Sequence, residues 1–184
     1  LVEYVSANPT GPMHIGNARG GVLGDALSAV LEAAGYQVER EFYVNDAGNQ
    51  VNRYGLSLEA RYLQIYQGED AVEFPEDGYL GPDVIANAKG FSEKHGDSYV
   101  NSSSEERRKA LVDYALPLNI QGLHDDLLRY RVEYDNWFRE STLHENGAVE
   151  RVVKLFQEKG ATYEKDGAIW FKGEEYGSED FVLV

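Results

Sequence analysis

The 184 residues contain no cysteine, which excludes disulfides and thiolate metal ligands and fits a reducing compartment. Basic residues are scarce. Seventeen Lys and Arg face 32 Asp and Glu, a net charge of −15, so the chain does not present the broad basic face of a self-sufficient nucleic-acid binder. A basic patch would have to be local. Long apolar runs are missing too: none approaches the roughly 18 residues of a membrane helix, and no signal-peptide pattern is visible. Internal repeats and low-complexity tracts are absent. His95, His124 and His144 lie far apart and show no metal-ligand spacing, so no metal site is expected.

What remains is ordinary globular composition, 42% hydrophobic and 27% charged, in a length that suits one large or two small domains. Both ends fall inside strand-like patterns, Leu1-Val2-Glu3-Tyr4-Val5 and Phe181-Val182-Leu183-Val184, whereas natural termini are usually polar and frayed. The expectation is a segment of a longer cytoplasmic protein, without a membrane partner, whose activity is completed elsewhere and which is inactive alone.

Residues 1–6 read as a buried strand and residues 7–16 as a loop containing Pro9, Gly11, Pro12 and Gly16. A helix follows with Asn17 as N-cap, its apolar positions Val22, Leu23, Ala26, Leu27, Val30 and Leu31 at helical spacing, and Gly35 as its stop. Residues 36–44 alternate as a second strand. Strand, glycine-rich loop, helix and strand make a βαβ unit with parallel strands. A further helix is predicted from Asn49 to about Gln67, with Tyr54, Tyr62 and Tyr66 at core spacing. Residues 68–104 read as loop-rich, and 105–132 as helical but interrupted at Pro117. A helix over 145–159 turns Val149, Val152, Val153 and Phe156 inward, a hairpin turns at Asp166-Gly167, and a short strand ends the chain.

The chemistry concentrates in Ser6-Ala7-Asn8-Pro9-Thr10-Gly11-Pro12-Met13-His14-Ile15-Gly16-Asn17-Ala18-Arg19-Gly20-Gly21. It joins a strand's carboxyl end to a helix's amino end, where open α/β sheets bind ligands and where free N–H groups and the helix dipole attract anions. Gly16, Gly20 and Gly21 permit close approach, and His14 and Asn17 are spaced to face the same ligand. The run has neither the Gly-x4-Gly-Lys-Ser/Thr nor the Gly-x-Gly-x-x-Gly order, so by itself it leaves nucleotide binding and a structural turn both open. Glu3, in an apolar strand start, is either a solvent-facing edge residue or a carboxylate held for a cation such as a guanidinium. Asn45, Asp46 and Gln50 follow the second strand and are candidates to face a ligand. Trp137-Phe138 is expected in the core of an inserted domain.

Pro12-Met13-His14-Ile15-Gly16-Asn17 resembles the His-x-Gly-His signature of class I aminoacyl-tRNA synthetases. The wider run from Glu3 to His14, with Arg19-Gly20-Gly21, Gly24-Asp25 and Tyr43-Val44-Asn45-Asp46-Ala47-Gly48-Asn49-Gln50, resembles the arginyl branch. Asp135-Asn136-Trp137-Phe138-Arg139-Glu140-Ser141 is similar to a stretch of that branch's inserted region. The likeness is dense over residues 1–50 and patchy beyond. It implies an α/β fold, the first half of a Rossmann-like, HUP-type parallel-sheet nucleotide domain with an α+β insertion. The divisions it implies are 1–67 for the first half, 68–172 for the inserted, connective-peptide-like domain, and 173–184 for a return strand. The implied reaction is arginine activation by ATP with Mg2+, then transfer of arginine to tRNA(Arg). The implied site is His14 and Asn17 in catalysis; His14, Gly16, Asn17 and Gly20 for ATP; and Glu3, Ser6 and Asn8 for arginine. Two departures stand out: Asn17 replaces the second His of the signature, and the family's Lys-Met-Ser-Lys-Ser-like loop is absent. Another nucleotidyl transferase with a similar loop, or a non-catalytic synthetase-derived binding module, are the alternatives.

Overall fold

In the computed structural model, which describes residues 1–183, Arg40–Val44 (β2) forms the middle of a three-stranded parallel sheet. On one side β2 pairs with β1 (Val2–Glu3), Val2 opposite Arg40. On the other it pairs with β3 (Asn136–Arg139), Phe42 opposite Trp137. Asp135 fastens the starts of two strands: its N–H donates to the Arg40 carbonyl (3.0 Å) and its Oδ2 accepts from the Arg40 N–H (2.7 Å). Helix α1 (Ile15–Ala33) crosses between β1 and β2. Helices α2 (Gly48–Gln67), α3 (Pro82–His95) and α4 (Ser104–Arg129) lie between β2 and β3. Parallel strands joined by helical crossovers are the Rossmann-like arrangement expected for residues 1–44.

The way α1 packs departs from the expected pattern. Its buried residues are Gly21, Gly24 and Ser28, while Val22, Leu23, Leu27 and Val30 are each at least half exposed. Small residues face the sheet because the helix lies directly on Tyr4: a Cβ built at Gly24 would sit 2.1 Å from the Tyr4 ring. Arg40 ties the far end of the helix to the sheet through paired bonds to Glu32 (2.7 and 2.9 Å), which hold the Glu32 carboxyl below its ordinary range. The N-cap is His14, three residues before the expected Asn17, and Gly35 follows the helix at φ +91°.

Residues 68–104 hold more structure than expected. Helix α3 fills 14 residues of that stretch, with Pro82 in its first turn and Gly96 as its stop, and buries Val84, Ala88 and Phe91 at helical spacing. Helix α4 runs unbroken through Pro117. Breaking there saves about 3 kcal/mol of proline cost. Continuing keeps Leu111, Ala115, Leu116, Leu123 and Leu127 buried on both sides of it, at about 1.5–3 kcal/mol for each fully buried leucine. Among the described residues two hydrophobic cores result. Tyr54, Leu58, Tyr62, Val84, Phe91 and Leu111 form one between α2, α3 and α4, and Tyr4, Phe42, Val44, Leu123, Leu127 and Val132 form the other against the sheet. Tyr66 belongs to neither buried cluster: it is 39% exposed, with its hydroxyl hydrogen-bonded to Ser92 (2.6 Å). Arg107 donates to Glu59 (2.6 Å) and to the carbonyls of Tyr99, Val100 and Ser102, so this buried pair is well satisfied.

The chain divides into two compact units, Leu1–Glu140 and Ser141–Val184. These units do not follow the divisions expected at 67/68 and 172/173. The helices of 82–129 share cores with residues 1–67, and β3, inside the expected insertion, completes the parallel sheet. Trp137 accordingly belongs to the sheet core, stacked on Phe42 at 4.3 Å, and not to an insertion core. The second unit comprises α5 (Ser141–Glu145), α6 (Ala148–Glu158) and an antiparallel sheet of β4 (Thr162–Lys165), β5 (Ala168–Phe171) and β6 (Phe181–Val182). Gly147 at φ +70° separates α5 from α6, so the helix expected from 145 starts later. Val153 is buried but Val152 is about half exposed. The hairpin turns at Asp166 and Gly167, both with positive φ as a type I′ turn requires. The expected return strand, 173–184, is represented by β6, which pairs antiparallel with β5; Val184 lies outside the described residues.

Gly24→Ala gains roughly 1 kcal/mol of helix propensity. It also forces a methyl into Tyr4, an overpacking that typically costs 1–3 kcal/mol, and the 2.1 Å approach puts it at or above the upper end. The expected outcome is a net loss of about 2 kcal/mol in urea unfolding, with α1 displaced from β1. An unchanged midpoint would contradict the packing described.

Candidate functional site

β1 ends abruptly. Val5 and Ser6 adopt positive φ, 67° and 42°, and a β-branched residue there is a marked outlier costing on the order of 1–3 kcal/mol. Ser6 holds the kink. Its N–H donates to the Tyr4 carbonyl (3.0 Å), its hydroxyl oxygen accepts from the Tyr43 N–H (3.0 Å), and the hydroxyl donates to Glu3 Oε1. The kink turns the chain off the sheet at the carboxyl ends of the strands, the face where such folds take ligands.

The loop then reaches α1 through a closed cap. The Gly16 N–H donates to His14 Nδ1 (3.1 Å) and the His14 N–H donates to Asn17 Oδ1 (3.1 Å), a reciprocal capping box. While Nδ1 accepts, the ring proton sits on Nε2, so His14 offers a donor outward. Asn17 keeps its NH2 as a second donor. The Asn at the signature's last position therefore has a structural task here that accounts for its side-chain oxygen.

Between this loop and the start of α3 lies a cavity of about 590 Å3. Ser6, Asn8, His14 and Asn17, all singled out in the sequence, line it together with Gln50 from the start of α2. Glu3, Gly16 and Gly20 are not among its lining residues. Glu3 is exposed, as its solvent-facing reading requires, and meets the cavity's edge through Ser6. From the other side come Tyr79, Leu80, Gly81 and Asp83, which the sequence reading did not single out. Asp83 folds back over Gly81 and its carboxylate lies 3.6 Å from where a Cβ on Gly11 would be. The one sequence signal for it was Gly81-Pro82-Asp83, a helix start with an acid in the first turn.

Asn45, with its amide nitrogen facing the oxygens, donates to Glu140 Oε2 (2.5 Å) and Ala47 O (3.2 Å), and its oxygen faces the Asn8 side chain (3.2 Å). Asp46 is almost fully buried and lies 3.7 Å from Arg139. Burial first, then Glu140, Asp46 and Glu3, raise the Tyr43 hydroxyl above its ordinary pKa. Acids thus gather at the carboxyl end of the sheet, with Arg139 against Asp46, and among the described residues no Lys or Arg lines the cavity.

A family model described as tRNA synthetases class I (R), catalytic domain, matches residues 1–184. The arginine–tRNA ligase of Acetivibrio thermocellus is 57% identical over 185 residues, and that of Caldanaerobacter subterraneus 59% over 184. All of this chain is covered in each case, but only 33% and 32% of the relatives, so the chain spans about a third of their length. A solved structure from Campylobacter jejuni described as a candidate arginyl-tRNA synthetase superposes with a TM-score of 0.82 at 36% identity, over 99% of this chain and 39% of that one. The Thermus thermophilus arginyl-tRNA synthetase, at 20% identity and a TM-score of 0.64, shares the fold over 99% of this chain and 32% of its own.

Ser6→Ala leaves the buried side of the kink without its bridge: the Tyr43 N–H loses its acceptor and Glu3 its donor. The expected loss is about 1–3 kcal/mol in denaturant unfolding, the cost of an orphaned polar group. A crystal structure of the variant should show Val5 relaxed to negative φ; retention of the kink at full stability would contradict this role.

Proposed function

We infer, since the chain belongs to the family of class I arginyl-tRNA synthetase catalytic domains, that these residues form the first half of an arginine-activating site and are completed by the rest of a longer enzyme. The carrying observation is the capping box that fixes His14 and Asn17 at the amino end of α1, over a cavity at the carboxyl ends of parallel strands. The substrates are arginine, ATP and, in the complete protein, tRNA(Arg), and Mg2+ enters with the nucleotide. The arginine carboxylate attacks the α-phosphorus of ATP and pyrophosphate leaves; a terminal ribose hydroxyl of tRNA then attacks the carbonyl of the adenylate, and AMP leaves.

His14 Nε2–H, the Asn17 NH2 and the α1 dipole are the donors this chain brings to the phosphates, with Gly16 and Gly20 allowing approach. With no lysine or arginine along the cavity among the described residues, the remaining neutralisation falls to the metal ion and to parts outside this chain. Glu3, held by Ser6, supplies the carboxylate for the guanidinium, and Asn8 and Ser6 the neutral contacts. Residues 68–172 are proposed to border the tRNA acceptor end. No helix here is long and apolar enough to cross a membrane, and a cytoplasmic setting accords with the absence of cysteine.

Two variants of the full-length enzyme test this. His14→Ala should slow ATP–pyrophosphate exchange by about 3–4 kcal/mol of transition-state stabilisation while arginine binding changes little. An unchanged exchange rate removes His14 from the phosphate site. Glu3→Gln should leave ATP binding intact and weaken arginine use, by about 2–5 kcal/mol where the bound guanidinium and the rest of the enzyme desolvate the pair. Equal losses for both substrates would instead mark Glu3 as a folding residue.

A further inference from the structure

We propose that Asn119, in α4, is a positioning residue for the signature loop, setting the place of His14 by holding the loop's main chain at Pro9. The proposal rests on the reading of His14 as a phosphate contact.

Asn119 stands 110 residues from Pro9, yet its Nδ2 donates to the Pro9 carbonyl at 2.9 Å. The same nitrogen donates to the Tyr54 hydroxyl (2.9 Å), and Oδ1 accepts from Asn87 Nδ2 (3.0 Å). Asn87 also donates to Tyr54 (2.8 Å). Each of α2, α3 and α4 thus contributes one polar side chain to a junction whose fourth member is the loop. A primary amide has two N–H donors, and both are used here, one on the loop and one on the helical layer. Aspartate cannot make that pair of donations, and leucine makes neither.

Pro9 is fully buried and Thr10 is 8% exposed, so the carbonyl between them requires a donor from the protein. Asn8, Thr10, Gly11 and Pro12 on either side line the cavity. One end of the loop is held by Ser6 on β2 and the other by the His14–Asn17 cap. Asn119 supplies the hold in the middle, which decides where the cap sits relative to the strand ends. A misplacement of about 1 Å at a reacting centre costs on the order of 100-fold in rate.

Tyr54 separates positioning from packing. Tyr54→Phe removes the hydroxyl that Asn119 and Asn87 share, but leaves the bond to Pro9. In the full-length enzyme, Asn119→Leu should lower kcat for ATP–pyrophosphate exchange by about 10- to 100-fold and raise the KM for ATP, with the KM for arginine little changed. Tyr54→Phe should lower the melting temperature and keep kcat close to wild type. If Asn119→Leu does not fold, Asn119→Asp, which keeps the shape and loses the donors, carries the same expectation. A second readout needs no catalysis. Met13, the single methionine of this sequence, reports the loop through its 13C-methyl resonance, assigned with Met13→Leu. That resonance should broaden or split in Asn119→Leu and stay unchanged in Tyr54→Phe. An unchanged kcat and an unperturbed Met13 signal in Asn119→Leu overturn the proposal, as does an equal loss of kcat in both variants. If the Met13 signal responds as expected while the wild-type enzyme activates no arginine, positioning of the loop stands and the functional reading falls.

Discussion

Helix α4 belongs to both hydrophobic cores of the first unit, and that double membership is the constraint on which the rest depends. Leu111 and Ala115 pack with α2 and α3, while Leu123 and Leu127 pack under the sheet. A helix long enough to serve both must pass through Pro117 between them. The missing backbone bond is tolerated because neither core can give up its leucines at comparable cost. The helical layer and the sheet are therefore not independent bodies, and the signature loop lies where they meet. Asn119, two residues past the proline, is where that continuity reaches the loop.

The second constraint is the closeness of α1 to β1. Gly21, Gly24 and Ser28 let the helix axis approach until Tyr4 fills the space a side chain would take. The amino end of α1 is thereby brought over the strand ends, with its dipole and cap facing the cavity. The apolar side chains that this packing leaves outward, Leu23, Leu27 and Val30 among them, show that helical spacing of large residues and the buried face are different things in this helix.

The electrostatic character of the site follows from where the acids lie. Glu3, Asp46 and Glu140 gather at the carboxyl ends of the strands with Arg139 against Asp46, Asp83 approaches from α3, and among the described residues the cavity wall carries no Lys or Arg. A wall of this kind suits a cationic group better than a polyanionic one, except where the N–H donors and dipole at the start of α1 face it.

The sequence by itself determined the βαβ start, the loop at its ligand-facing end and the family, because these are local matters. Strand alternation, glycine placement and an ordered run of motif residues need no tertiary partner to be read. It also determined the Asp166-Gly167 hairpin, since a type I′ turn states its backbone requirement in two residues. Only the tertiary structure decided the rest. His14 rather than Asn17 caps α1, because the His14 ring accepts from the Gly16 N–H while the Asn17 oxygen accepts from the His14 N–H, a reciprocal pairing that depends on the folded loop. Pro117 fails to break α4, because burial on both sides outweighs a local penalty. Trp137 joins the sheet, because pairing with β2 is a long-range contact that no spacing announces. Tyr79 and Asp83 reach the cavity for the same reason: their place depends on α3 packing against α2 and α4, and such contacts are written in the cores rather than in any single stretch of chain.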